Sequence, residues 1–155
     1  MLEVPDVNFD LEVTVRFSCF GATTAFLILA AAPAFAGGPS DFHGKPLATA
    51  GLGQANPAAI NLSQDPSWQL FGFQRDGITY LQVNDLLGNV QLIIGNAGGT
   101  YWVLPAGNNA ARVSLPQQQI QIPAGATRSQ IYSASDFSMV RYRSGSDVIW
   151  SVETP

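Results

Sequence analysis

One hairpin-forming stretch decides the fold of this chain. Residues 68–84 read WQLFGFQRDGITYLQVN. At its centre, Asp76-Gly77 suits a two-residue turn in which both positions need positive φ. The runs on either side are rich in aromatic and β-branched residues, so we predict strands at 68–74 and 78–84.

The turn also sets the register of this predicted hairpin. Counting outward from the turn places Phe73 opposite Tyr80 and Leu70 opposite Val83. Each such pair stabilises a hairpin by about 0.2–1 kcal/mol. Because apolar pairs fall on both sides, we expect both faces of the hairpin to contact apolar groups.

The same alternation of short β-rich runs and turn residues continues to the C-terminus. It predicts about nine strands, which beyond the hairpin cover 89–94, 100–104, 111–115, 119–122, 129–133, 138–142 and 148–152. After Ala36 no segment sustains an apolar i, i+3, i+4, i+7 pattern for three turns, which excludes helical bundles and doubly wound α/β folds. We therefore predict an all-β fold over residues 67–155, an antiparallel β-sandwich or small barrel of about 7–9 short strands.

The N-terminal part of the chain has the pattern of a secretory signal. Residues 17–36 form an uncharged apolar stretch that ends in Ala34-Phe35-Ala36, which is typical of an A-x-A cleavage site. Its most apolar part, 25–32, is too short to span a hydrocarbon core of about 30 Å. We predict that residues 1–36 are an N-terminal extension and cleaved signal peptide and that the protein is exported, to the periplasm or the extracellular space. A permanent membrane anchor is the second interpretation.

The residues before this signal are negatively charged, where a signal normally starts with positive charge. A translation start at Val15 would leave Arg16 as that positive charge, and this pattern favours such a start. N-terminal sequencing of the unprocessed precursor tests it. The acidic residues in question are Glu3, Asp6, Asp10 and Glu12.

The predicted mature chain, residues 37–155, is nearly neutral. Its 119 residues hold six Lys and Arg, seven Asp and Glu and no Cys, so its net charge is −1. Without Cys it has no disulfide framework, and without a basic excess it is a poor candidate for nucleic-acid binding. Residues 37–66 are rich in Gly, Pro and Ala without a sustained period, so we predict a flexible tail there, with room for one short strand or a helical turn at 57–62.

The residue types that catalysis requires are sparse in the mature chain. His43 is its one histidine and lies in the predicted tail, which argues against a Ser-His-Asp or Cys-His site. The grouping Asp41-Phe42-His43 is interpreted as a solvated tail and not as a metal site. We predict no enzyme, no cofactor and no metal. Turns or strand starts account for each aspartate that a glycosidase would need, namely Asp65, Asp76, Asp85, Asp136 and Asp147.

Aromatic and arginine side chains are the remaining candidates for binding. Arg141 and Arg143 alternate on one predicted strand, so they share a face where they could clamp an anion or a carboxylate, or discourage edge pairing. Of the neighbours Tyr101 and Trp102, one ring is exposed if one sheet face is solvated. The possible binding face is therefore Trp102, Arg141 and Arg143, with Trp68 and Trp150 as further aromatic candidates.

Three functional hypotheses follow from this pattern. Eleven Gln and seven Asn in the mature chain indicate an uncharged, hydrogen-bonding surface. The leading hypothesis is an exported, non-enzymatic β-domain that binds a partner protein or an envelope glycan, with no stable membrane span after signal cleavage. The second is a self-assembling cell-surface or matrix subunit whose tail donates a strand to a neighbour. The third is a small secreted hydrolase that uses Asp residues or His43.

Overall fold

The computed structural model describes residues 42–108 and 110–155, and the predicted signal peptide lies outside these residues. The described chain is all-β, as predicted, and forms a sandwich of two four-stranded sheets. A short 3-10 turn, Phe42–Gly44, comes first. The strands are β1 (Gln69–Arg75), β2 (Ile78–Asn84), β3 (Val90–Ala97), β4 (Thr100–Gly107), β5 (Arg112–Ser114), β6 (Thr127–Ser133), β7 (Ser138–Ser144) and β8 (Asp147–Glu153).

The two sheets differ in their topology. The first is a meander in the order β1-β2-β3-β4, in which every neighbouring pair is antiparallel. The second has the order β5-β8-β7-β6. Its β5 runs parallel to β8, a departure from the purely antiparallel sandwich that the sequence predicts. A parallel neighbour requires a long connection, and the chain after β5 makes one by passing to the far edge of its own sheet.

The first hairpin has the predicted register. Phe73 pairs with Tyr80 and Leu70 pairs with Val83. The turn residues Asp76 and Gly77 have φ of 53° and 77°, so both occupy the left-handed region. Local turn chemistry therefore sets the alignment of β1 and β2.

The predicted strand at 119–122 is wrong. This segment alternates in burial, with Ile120 and Ile122 half-buried and Gln119 and Gln121 exposed, but it pairs with no strand. It belongs to the connection between β5 and β6, which lie at opposite edges of the second sheet. The amide of Ile120 donates to Ser114 Oγ on the outer face, so the segment lies across that face instead of along an edge.

Residues 42–66 are packed against the sandwich, which corrects the flexible tail predicted for this part of the chain. Ala48 bridges to Phe73 in parallel, and the amide of Leu62 donates to the carbonyl of Leu70, so both cover the open edge of β1. The amide of Gln64 donates to the carbonyl of Ile131 on β6. The segment thus joins the two sheets along one side. Backbone groups of edge strands need partners, and this segment supplies them for β1.

Two buried amides hold the loop that lies on the outer face of the first sheet. Gln82 Oε1 accepts from the amide of Gly53 at 2.6 Å, and Gln82 Nε2 donates to the carbonyl of Gln54 at 2.8 Å. Asn84 Nδ2 donates to the carbonyl of Ala55 at 2.9 Å. Gln82 and Asn84 are both 0% exposed, so their side chains need these partners, and the bonds determine where the loop lies.

The core fills the space between the inner faces. One buried cluster contains Leu81, Val83 and Ile94 of the first sheet together with Met139, Trp150 and Val152 of the second. Further buried aromatic and aliphatic side chains complete it: Phe42, Leu62, Leu70, Leu92, Tyr101, Leu115, Ile131, Tyr132 and Phe137.

Tyr101 makes the stability of this core sensitive to alkaline pH. Burial, with the nearby charge of Asp136, raises the pKa of Tyr101 to about 12. The unfolded chain ionises a tyrosine near pH 10, so the folded state loses stability as the pH rises from about 10 to 12. A shift of this size corresponds to a loss of at most about 3 kcal/mol.

We therefore expect Tyr101→Phe to remove this part of the pH dependence. Urea unfolding of both proteins at several pH values from 9 to about 11.5 should show the wild type losing free energy of unfolding faster than the variant. The ionisation of all other groups cancels in the difference. Parallel pH profiles would show that the Tyr101 hydroxyl ionises equally in the folded and unfolded states.

Candidate functional site

The three predicted binding residues fall on different parts of the sandwich. Arg141 and Arg143 lie on β7 and share one face, as predicted; it is the inner face, opposite Trp150 and Val148 of β8. Trp102 lies on β4 of the other sheet, on the outer face. The structure therefore keeps Trp102 apart from the two arginines, and the three do not form one binding face.

Trp102 has a structural explanation of its own. It pairs with Gly95 across the β3–β4 ladder, and a Cβ added at Gly95 would overlap the indole ring. The ring is half-buried and lies directly over the glycine. An aromatic side chain that covers a cross-strand glycine replaces the packing that the glycine lacks.

Arg141 instead lines a cleft at one end of the sandwich. The cleft has a volume of about 320 Å³ and lies where β1, β3 and β8 begin and β4 ends. That volume is at the lower limit of the range of about 300–1,000 Å³ typical of small-molecule sites. Its lining consists of Trp68, Gln91, Asn108, Ala110, Ala111, Arg112, Arg141, Ser146, Asp147, Val148 and Trp150.

Two indoles and one guanidinium form the inner part of this end cleft. Trp68 and Trp150 meet edge to face, with ring centroids 4.9 Å apart and an interplanar angle of 87°. The guanidinium carbon of Arg141 lies 5.1 Å from the Trp68 ring centroid and 5.9 Å from that of Trp150. Both distances are within the range of a cation–π interaction, so the rings hold the arginine in place.

The guanidinium of Arg141 has few polar partners. Its Nε atom is buried and has no hydrogen-bond partner. Burial, followed by the nearby positive charge of Arg143, lowers the pKa of Arg141, and the carboxylate of Asp65 opposes this only in part. A cation held against aromatic rings without a bonded anion is electrostatically incomplete.

The rim of the cleft carries the charges that are already paired. Arg112 at the start of β5 forms an ion pair with Asp147 at the start of β8, and both side chains are 46% exposed. Gln91 also lines the cleft, and its Nε2 donates to Asp85 Oδ2 at 3.3 Å. An exposed ion pair such as Arg112 and Asp147 contributes little to stability. It bears on the site through its position at the rim of the cleft.

Sequence reasoning did not single out Arg112 or Gln91 as site residues, because the topology alone brings β3 and β5 to this end. The pairing of Arg141 with Trp150 can be predicted from the sequence. Counting outward from the turn at Gly145 and Ser146 pairs these two residues, and the structure has this register.

Asp85 and His43, which were also considered for chemistry, both make contacts within the fold. Asp85 Oδ1 accepts from the amides of Leu87 and Asn89, the turn role predicted for it. Chiefly through its bond with the Asn89 side chain, this network lowers the pKa of Asp85. His43 Nε2 lies 2.7 Å from the carbonyl oxygen of Ser133, and its ring packs on Tyr132.

Among residues 42–108 and 110–155, no three His, Cys, Asp or Glu side chains come together as metal ligands. The same residues include no helix with the length and apolarity that a membrane crossing requires. Compared with known proteins, the chain matches no family model, no curated protein and no solved structure.

Proposed function

We propose that this protein is an exported, non-enzymatic β-domain that binds an envelope glycan in the end cleft. The observation that carries the proposal is the pair of perpendicular indoles, Trp68 and Trp150, with Arg141 held against both. Trp150 is 3% exposed and backs the half-buried Trp68, whose indole can pack against the C–H face of a sugar ring while a few polar groups orient the sugar hydroxyls.

The polar groups around the indoles fit this ligand class. Asn108 and Ser146 line the same cleft, and their amide and hydroxyl groups suit hydrogen bonding to neutral hydroxyl groups. Export is supported by the signal pattern at residues 17–36. The non-enzymatic role is supported by the mature sequence, which has one His and no Cys.

Tryptophan fluorescence gives a direct test. The chain has three Trp residues, and two of them line the cleft, so Trp102→Phe leaves reporters only at the proposed site. Soluble peptidoglycan fragments and capsular polysaccharide are titrated into this variant, purified after export. We expect a saturable change in emission with at least one of these glycans.

A second variant tests whether the glycan binds in the cleft. Ser146 is exposed and lies at the cleft in the β7–β8 turn, so Ser146→Trp obstructs it without disturbing the core. Because this substitution adds a fluorophore, its binding is measured by calorimetry and is expected to weaken at least tenfold. Ser135→Trp, at an exposed position of the β6–β7 connection, is the matched control and should bind like the wild type. Equal binding by all three proteins, or no binding of any glycan, would refute the proposal and leave a partner protein as the ligand class.

The self-assembling subunit remains the alternative, and the edge of β4 is the observation that favours it. β4 forms one edge of the first sheet, and most of its residues from Val103 onward are exposed. Pro105 removes one donor and so protects the C-terminal half of this edge against pairing, which leaves 100–104 as the part that could pair. Sedimentation velocity over a hundredfold concentration range distinguishes the two functions: growth with concentration supports assembly, and a constant monomer excludes it.

A further inference from the structure

We propose that the end cleft is specific for an acidic sugar and that Arg141 binds the carboxylate of that sugar. This inference rests on the proposed function, because it names the class of glycan that the same cleft accepts. It assigns the half-buried indole of Trp68 to the sugar ring and the guanidinium to its charged substituent, while Trp150, 3% exposed, supports both from the core.

Arg141 takes part in none of the ion pairs of the described chain. The three ion pairs found within 42–108 and 110–155 join Arg75 to Asp76, Arg112 to Asp147 and Arg128 to Glu153. Each involves an arginine that lies outside the inner part of the cleft. Arg141 belongs to none of them, although it is the arginine most enclosed by apolar rings.

The two carboxylates near Arg141 are bound to other groups. Asp147 lines the cleft, but its carboxylate is bound by Arg112. Asp65 accepts a hydrogen bond of 2.8 Å from the amide of Ser67, which holds it in its own turn. Asp65 therefore offsets the charge of Arg141 at a distance without forming an ion pair with it.

The geometry of the Arg141 guanidinium suits a carboxylate. Its planar fork of N–H donors matches a carboxylate, which accepts two parallel hydrogen bonds. The rings of Trp68 and Trp150 fix the guanidinium before a ligand arrives, so little side-chain entropy remains to be lost on binding. Arg143 lies on the same face and adds attraction for an anion.

Because Arg141 is partly buried, a bonded anion stabilises its charge more than it would at the surface. Desolvation and the nearby Arg143 both disfavour the charged guanidinium, and they lower its pKa. A carboxylate placed against it compensates for both effects, because Coulomb attraction is stronger where water is excluded. A neutral sugar offers no such compensation.

The test compares one oligosaccharide in two charge states. Oligogalacturonate and the neutral galactan obtained by reducing its carboxyl groups have the same ring geometry and differ in charge. Each is titrated calorimetrically into the wild-type protein purified after export. We expect oligogalacturonate to bind at least tenfold more tightly than the reduced form, and this preference to diminish as salt is added.

Three variants assign the preference to Arg141. Arg141→Gln should bind the acidic and the reduced sugar with equal affinity, and Arg141→Lys should retain part of the preference because it keeps the charge but loses the planar fork. Arg128→Gln is the matched control, since Arg128 is bound to Glu153 on the outer face, and it should behave as wild type. Urea unfolding of each variant verifies that the fold is retained.

The outcomes separate this inference from the proposed function. Equal binding of both sugars by the wild type, blocked by Ser146→Trp, would overturn the acidic specificity and leave the glycan site standing. A preference that survives in Arg141→Gln would overturn the role of Arg141. Binding of neither sugar would refute the acidic-sugar inference, and the titrations with envelope glycans would then decide the proposed function separately.

Discussion

Replacing Phe42 by alanine is expected to lower the free energy of unfolding by about 3–4 kcal/mol, the usual cost of removing a buried phenylalanine. Phe42 is 3% exposed. Its ring stacks on Tyr132 and meets Phe137 edge to face, with centroids 6.1 Å apart in both pairs. The effect is large because the ring fills the core, although the sequence around it has the composition of a tail.

Urea unfolding at equilibrium measures this loss. The matched control is Ile60→Ala, which removes an apolar side chain from the same segment, where it is 45% exposed. It should cost less than about 1 kcal/mol, because little apolar surface leaves the interior. If Phe42→Ala and Ile60→Ala unfold at the same urea concentration as the wild type, residues 42–66 are a tail after all.

Gln82→Leu is the second substitution with a large expected effect, a loss of about 2–4 kcal/mol. Leucine has a similar size, but it leaves the amide of Gly53 and the carbonyl of Gln54 without the partners they have at 2.6 and 2.8 Å. Each unsatisfied buried polar group costs about 1–3 kcal/mol. The bond of 2.9 Å from Gln82 Nε2 to Asn84 Oδ1 is lost as well.

Gln121→Leu provides the control, because Gln121 is exposed and the same chemical change there should alter stability by no more than about 0.5 kcal/mol. Amide hydrogen exchange adds a local measurement. In Gln82→Leu the Gly53 amide should exchange faster than in the wild type even under conditions where the protein stays folded. An unchanged exchange rate at Gly53 would show that Gln82 does not hold the loop.

The hairpins show that turn residues determine the register of neighbouring strands. The register of β1 and β2 follows from Asp76 and Gly77, because a two-residue turn with positive φ at both positions leaves one alignment. The turn at Gly98 and Gly99 likewise implies the pairing of Trp102 with Gly95. Counting from turns thus predicts neighbours within a sheet.

The candidate site was predictable only in part. The shared face of Arg141 and Arg143 follows from the period of two along a strand, and the sequence predicts it correctly. Whether that face is inner or outer depends on which side the other sheet packs against, about which strand periodicity carries no information. For this reason Trp102 looked equivalent to Trp68 and Trp150, yet the latter two meet each other and Trp102 covers a glycine.

Period and turn residues in the sequence were sufficient to predict the all-β class, the β1–β2 register and the alternation along each strand. Those properties depend on residues within a few positions of one another. The tertiary structure alone placed residues 42–66 on the edge of β1, turned 119–122 into a crossing segment and brought Trp68 to Arg141. These outcomes depend on contacts between residues that are far apart in the sequence. A buried amide, an open strand edge or a cation is satisfied by whichever partner the whole fold brings near it.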